Sequence, residues 1–87
     1  MKNEKQAPML ILYATSGCHL CEDAENLLRA MSTLPFRTVE ITENAALLKR
    51  YGRRIPVLHH LDSGAELDWP FAAEAVHRLL SAAAPLY

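Results

Sequence analysis

The sequence has little of what would announce a partner or a compartment. It has no run of like charge: 9 basic and 10 acidic residues leave a net charge of −1 over 87 residues. That balance supplies no field to draw in nucleic acid or an anionic membrane surface. Glycine and proline are few, at 3 and 5, and neither a low-complexity tract nor a repeat appears. The chain therefore reads as one ordered domain rather than a linker or an array. No apolar stretch approaches the roughly 20 residues of a membrane helix. The run after the polar "MKNEKQAP" ends within Met9–Ala14, too short for the apolar part of a signal peptide. These absences predict a cytoplasmic monomer, with a flexible tail over 1–8 and a single domain over 9–87. Cysteine is scarce too: the two thiols are Cys18 and Cys21. A bridge closing so short a loop adds little stability, and a reducing compartment does not favour a permanent one.

What is present is ordered punctuation. Met9–Ala14 is a continuous Leu/Ile-rich run, as expected of a strand buried on both faces. "TSG" interrupts it. Leu20, Ala24, Leu27, Leu28 and Met31 then mark one face of a helix, with Glu22, Asp23, Asn26 and Arg29 opposite. "STLP" ends that helix, and Phe36–Ile41 reads as a second strand. Thr42 or Asn44 caps a short helix, Ala45–Tyr51, with Leu47, Leu48 and Tyr51 inward and Gly52 as its stop. "RRIPVLHHL" reads as a third strand, "DSG" as a hairpin turn and Ala65–Trp69 as the returning strand. Pro70 suits the first turn of a last helix whose apolar face is Ala72, Val76, Leu79, Leu80 and Ala83. The order is β-α-β-α-β-β-α. A strand–helix–strand start implies a parallel pair, and the later hairpin makes the sheet mixed. A four-stranded mixed α/β sheet with flanking helices in this order matches the thioredoxin fold.

The cysteines fall where the first strand gives way to the first helix. The first turn of a helix offers unpaired N–H groups and partial positive charge. A thiolate there gains roughly 0.3–2 kcal/mol, which takes about 0.2–1.5 pK units off a free thiol near 8.5. The thiolate is the form that attacks disulfides. Residues three apart on a helix are neighbours, so Cys21 lies within reach of Cys18. Cys21 also runs with Ala24 and Leu28 on the apolar side and should be the more sheltered. An exposed nucleophile, Cys18, and a sheltered resolving thiol, Cys21, follow. His19, if protonated, places positive charge beside the thiolate and favours the dithiol. Buried bystander cysteines, a structural disulfide and a zinc or iron–sulfur site are the other readings of the pair. A single CxxC with adjacent His59 and His60 far along the chain lacks zinc-finger spacing, and no metal site is assigned.

"YATSGCHLC", the amphipathic helix after it and "RRIPVL" together resemble a small bacterial glutaredoxin-like protein of the thioredoxin superfamily, over residues 9 to about 84. The resemblance implies a disulfide oxidoreductase with Cys18 as nucleophile and Cys21 as resolving thiol. It also implies that Pro56 is cis and faces the CxxC, leaving the Ile55 backbone free to pair with a bound peptide or glutathione. The sequence departs from the glutaredoxin pattern at three places. Thr15 stands where a lysine is usual, His-Leu replaces Pro-Tyr between the cysteines, and "LDWPF" replaces the Gly-Gly and Asp that grip glutathione. Arg53 or Arg54 remains available for a carboxylate, and Trp69 either covers the dithiol or anchors the last helix. His59 and His60 face opposite sides of their strand, one bonded in the core and the other exposed, and His77 is a surface residue.

The implied activity is thiol–disulfide exchange with no bound cofactor. Its substrate is a disulfide-containing protein or a glutathione mixed disulfide. Its reductant is a thiol such as glutathione, or a flavoprotein reductase. The alternatives are a glutathione-independent electron carrier reset by thioredoxin reductase, and a non-enzymatic metal-binding or scaffolding module on the same fold.

Overall fold

A computed structural model describes residues 10–31 and 35–83, and side chains through 80. The expected tail over 1–8, Met9, most of "STLP" and the Ala83 side chain lie outside the described residues. The elements run β1 (Leu10–Ala14), α1 (His19–Ala30), β2 (Phe36–Glu40), a 3₁₀ turn (Ile41–Glu43), α2 (Ala45–Tyr51), β3 (Val57–His60), β4 (Glu66–Asp68) and α3 (Ala73–Ala83). The sheet order is β2-β1-β3-β4. β1 runs parallel to β2, with Ala14 opposite Glu40, and antiparallel to β3, with Tyr13 opposite Val57. β3 and β4 form the antiparallel hairpin, with Val57 opposite Asp68. This is the mixed four-stranded sheet with flanking helices of a thioredoxin-like fold.

Alternation along β1 divides the core in two, because successive side chains in a strand point to opposite faces. Leu10 and Leu12 join Leu58 of β3, Ala24 and Leu28 of α1, and Val76 and Leu79 of α3. Leu12, Leu28 and Leu58 are wholly buried, each contributing about 1.5–3 kcal/mol of transfer free energy. On the other face Tyr13 stacks on Tyr51 of α2 with ring centroids 4.2 Å apart. Ile41, Val57 and the partly buried Leu47 and Ile55 complete that smaller cluster. Both faces of β1 are thus covered, as its unbroken apolar run requires. No helix among the described residues is long and apolar enough to cross a membrane.

Several boundaries differ from expectation. β2 ends at Glu40, with Ile41 buried in the 3₁₀ turn. Asn44 caps α2, its Oδ1 accepting from the Leu47 amide at 3.1 Å. Gly52 closes α2 with a right-handed φ of −54° rather than a left-handed cap; a Cβ there would collide with the Leu48 carbonyl oxygen. Leu48 is solvent-exposed, because a seven-residue helix seated on Tyr51 and Leu47 turns it outward. Leu20 of α1 is exposed as well, at 49%. β4 is three residues, Glu66–Asp68, and Trp69 and Pro70 lie between it and α3. α3 begins at Ala73, so Pro70 is not in its first turn and Ala72 is exposed ahead of it. Val76 and Leu79 are buried as expected, and Leu80 is partly so.

Candidate functional site

Cys18 stands at the start of α1 as its N-cap, with extended backbone at φ −96° and ψ 109°. Its Sγ accepts a hydrogen bond from the Cys21 amide at 3.1 Å. This is an N-cap contact, with sulfur in the place usually taken by a Ser, Asp or Asn oxygen. It satisfies one of the free amides of the first turn and fixes the sulfur in the positive end of the helix field. Cys21 is one turn on, its Cα 5.2 Å from that of Cys18, and the two sulfurs are at disulfide distance. Cys18 is half-buried, whereas Cys21 is only 4% exposed, on the side of Ala24 and Leu28. Gly17, immediately before, has φ +76°. No neighbour crowds its missing Cβ, so the left-handed backbone itself is what calls for glycine.

The loop that delivers Cys18 is tied to the end of β2 by Glu40. The Thr15 hydroxyl donates to Glu40 Oε2 at 2.6 Å, and the Ser16 amide donates to Oε1 at 2.9 Å. The Thr42 amide and hydroxyl also donate to Oε2, at 3.3 and 2.8 Å. The Thr15 hydroxyl first, and then that of Thr42, draw the Glu40 carboxyl down to a pKa of about 2. A carboxylate that accepts several hydrogen bonds is held in its charged form. Beside this loop lies a cavity of about 350 Å³ whose walls include Cys21, Glu22, Glu25 and Glu40. Among the described residues no Lys, Arg or His lines it.

Pro56 and Trp69 reach the same end of the sheet. Val57 pairs with Tyr13, so Pro56 lies at the carboxyl end of β1, where the 15–17 loop departs. The Ile55–Pro56 peptide bond is cis, as is Trp69–Pro70. Pro56 is buried and Ile55 half-buried. The Trp69 amide donates to the Pro56 carbonyl at 3.1 Å. The indole of Trp69 packs against the larger core cluster and meets Phe71 edge-on at 5.0 Å. Its ring therefore anchors the segment ahead of α3, while its backbone belongs to the rim. His19 is the outermost residue of the site, 85% exposed, with Nε2 3.9 Å from Asp23 Oδ2.

Arg54 is occupied by the chain's own carboxylates. Its Nη2 donates to Glu66 Oε1 and to Asp68 Oδ1, both at 2.7 Å, and its Nε donates to Asp68 Oδ2 at 3.1 Å. The guanidinium also lies over the Tyr51 ring, 5.3 Å from its centroid. Burial pushes the Glu66 carboxyl upward, but the Tyr51 hydroxyl and Arg54 outweigh it and leave the group below its usual range. Arg54 lowers Asp68 in the same way. Arg53 is exposed. Of the two strand histidines, His60 is buried and accepts from the Ser63 amide at Nδ1, 3.3 Å away. His59 is half-buried rather than exposed, because β3 packs it beside Tyr13 of β1, with Nδ1 3.3 Å from the Tyr13 hydroxyl. His77 is exposed.

The structure thus brings Cys18, Cys21, Thr15, Pro56 and the Trp69 backbone to one end of the sheet and ties Arg54 to β4. Glu40, Glu66 and Asp68 were not legible as site residues, since each meets its partner from a different strand. Among the described residues no group of three or more His, Cys, Asp and Glu side chains is arranged to hold a metal ion.

The family model described as a glutaredoxin-like domain (DUF836) matches residues 9–81. The X-ray structure of target protein XcR50 from X. campestris is 43% identical, covering 87% of this chain and 99% of that one, with a TM-score of 0.76. The solution structure of XcR50 is 42% identical over 91% and 99%, with a TM-score of 0.74. Protein Ne2328 from Nitrosomonas europaea, also solved in solution, is 26% identical over 91% and 98%, with a TM-score of 0.72. No curated protein matches. A CxxC pair at disulfide distance, on a fold matched by the family model along most of its length, makes the chain a member of the glutaredoxin-like domain (DUF836) family.

Proposed function

We propose that the protein is a thiol–disulfide oxidoreductase acting on protein disulfides. The observation that carries this reading is the Cys18 sulfur at the N-cap of α1, accepting the Cys21 amide. In the reduced protein the Cys18 thiolate attacks one sulfur of a substrate disulfide. A Cys18–substrate bond forms, the substrate's own S–S bond breaks, and one substrate thiolate leaves. Cys21, deprotonated, then attacks Cys18, releasing the second substrate thiolate and leaving the Cys18–Cys21 disulfide. Two electrons have passed to the substrate, and an external dithiol or flavoprotein reductase returns them.

A protein disulfide is favoured over glutathione by the charges around the site. Glutathione presents two carboxylates. Arg54, the basic side chain nearest in sequence to Ile55, is already ion-paired with Glu66 and Asp68 through Nε and Nη2. Glu22, Glu25 and Glu40 are among the residues lining the cavity beside Cys21, and Thr15 is bound to Glu40. Exposed Leu20, between the two cysteines, instead offers apolar surface to a protein. The resemblance implied a free Ile55 backbone, but the Ile55 amide donates to the Tyr51 carbonyl at 3.1 Å, so that amide is not free to pair with an extended substrate segment.

Reduction of insulin disulfides tests the reading, driven either by NADPH with thioredoxin reductase or by glutathione with glutathione reductase. Turnover with the first system, abolished in Cys18→Ser and much slower with the second, is expected. Turnover that survives Cys18→Ser overturns the mechanism, and failure to reduce insulin with either system, beside ready reduction of a small glutathione mixed disulfide, overturns the substrate class.

A further inference from the structure

We infer that Glu40 is a positioning residue for Cys18, acting through Thr15 and Ser16; the inference rests on the oxidoreductase reading above. Glu40 closes β2 directly across from Ala14, the last residue of β1. Three residues, Thr15 to Gly17, then carry the chain to the nucleophile. The carboxylate grips the first two of them with separate oxygens, the Thr15 hydroxyl at 2.6 Å on Oε2 and the Ser16 amide at 2.9 Å on Oε1. Gly17 supplies no side chain and takes a left-handed backbone. The placement of Cys18 against the first turn of α1 therefore depends on how firmly Thr15 and Ser16 are held to the sheet. Hydrogen bonds to a charged acceptor are the stronger kind, and Glu40 spans the gap between a rigid strand and the loop.

Glu40 has a second set of contacts, to the Thr42 amide and hydroxyl. These cap the 3₁₀ turn that follows β2. A residue that mattered only for that turn would act through Thr42, whereas a positioning residue for Cys18 acts through Thr15. The Thr15 and Thr42 hydroxyls share Oε2, while the Ser16 amide alone takes Oε1; because the two hydroxyls belong to different side chains, each route can be cut by its own substitution.

The test is the rate at which reduced Cys18 attacks the aromatic disulfide dithiobisnitrobenzoate, followed in a single turnover by the released thiolate. In Glu40→Ala the rate falls about tenfold, short of the hundredfold that a displacement of about 1 Å can produce. Glu40→Gln keeps an acceptor for the Thr15 hydroxyl but sets its amide NH₂ against the Ser16 N–H, so it recovers to within about threefold of wild type. Thr15→Val slows attack, and adding it to Glu40→Ala gives no further loss, the non-additivity of one shared interaction. Thr42→Val leaves the rate within about twofold of wild type, because its hydroxyl bond does not reach the loop. Glu40→Ala at the wild-type rate, or Thr42→Val slowing attack as much as Thr15→Val, overturns the inference while the oxidoreductase reading stands. A wild-type Cys18 that does not attack the probe at all overturns both.

Discussion

Replacing Arg54 with alanine removes the tie between the loop before Ile55 and β4, and its consequence can be worked from the geometry. Two of the three hydrogen bonds go to Asp68, whose side chain is 51% exposed. Solvent screens that pair, which contributes about 0.5–1 kcal/mol. The third goes to Glu66, 17% exposed. Losing a charged hydrogen bond at such a site costs about 1.5–3 kcal/mol, tempered because the Tyr51 hydroxyl still donates to Glu66 at 2.7 Å. The sum is about 2–3 kcal/mol at pH 7. For a domain of this size that lowers Tm by about 10–20 °C. The sign with pH follows from the carboxylates. Both have folded-state pKa values below their ordinary ones of 4.5 and 3.8. Their contribution is therefore present above the unfolded values and lost as pH falls through the folded ones. Urea melts of wild type and Arg54→Ala should be far apart at pH 7 and converge as the buffer becomes acidic. A difference under about 0.5 kcal/mol at pH 7, the scale of an ordinary surface substitution, would refute the reasoning, as would a difference that does not shrink in acid.

Two further outcomes test the packing on either face of β1. Leu28→Ala, in a wholly buried position of α1, should lower stability by about 2–5 kcal/mol through lost contacts and a residual cavity, read from chemical denaturation. Tyr51→Phe should destabilise at neutral pH by removing the donor to Glu66. Burial, and then that hydrogen bond, push the Tyr51 hydroxyl up from 10.0 to about 12. A raised folded-state pKa gives stability that is present below the unfolded value and lost as pH rises through the folded one. The gap between wild type and Tyr51→Phe should accordingly narrow between pH 10 and pH 12, and a constant gap across that window counts against the assignment.

What could be read from sequence was whatever depends on neighbours along the chain. The unbroken run ending at Ala14 implied a strand covered on both faces, and Leu10 and Leu12 do face α1 and α3 while Tyr13 faces α2. The three-residue spacing of Cys18 and Cys21 at a helix start implied an exposed and a sheltered thiol; Cys21 is buried, whereas Cys18 is half-buried rather than exposed, held by the N-cap geometry. What escaped depends on partners distant in sequence. Arg54 looked available for a substrate carboxylate because Glu66 and Asp68 lie 12 and 14 residues on. They meet it only once the β3–β4 hairpin forms. Glu40 is 25 residues from Thr15, brought there by the parallel pairing of β1 and β2. Periodicity alone turns Leu48 inward, but a helix as short as α2 buries fewer positions than its pattern offers. Pro70 resembled a helix opener, yet the chain runs on through Phe71, buried in the core, before α3 begins.

The central claim is that Cys18 attacks and Cys21 resolves, and trapping tests it most directly. Reduced Cys21→Ser and reduced Cys18→Ser are each mixed with a protein extract, and the captured species are identified by mass spectrometry. Cys21→Ser should accumulate mixed disulfides through Cys18, on protein partners rather than on glutathione, that release on adding dithiothreitol. Cys18→Ser should accumulate almost none. Equal trapping by the two variants, or trapping through Cys21 alone, would contradict the account.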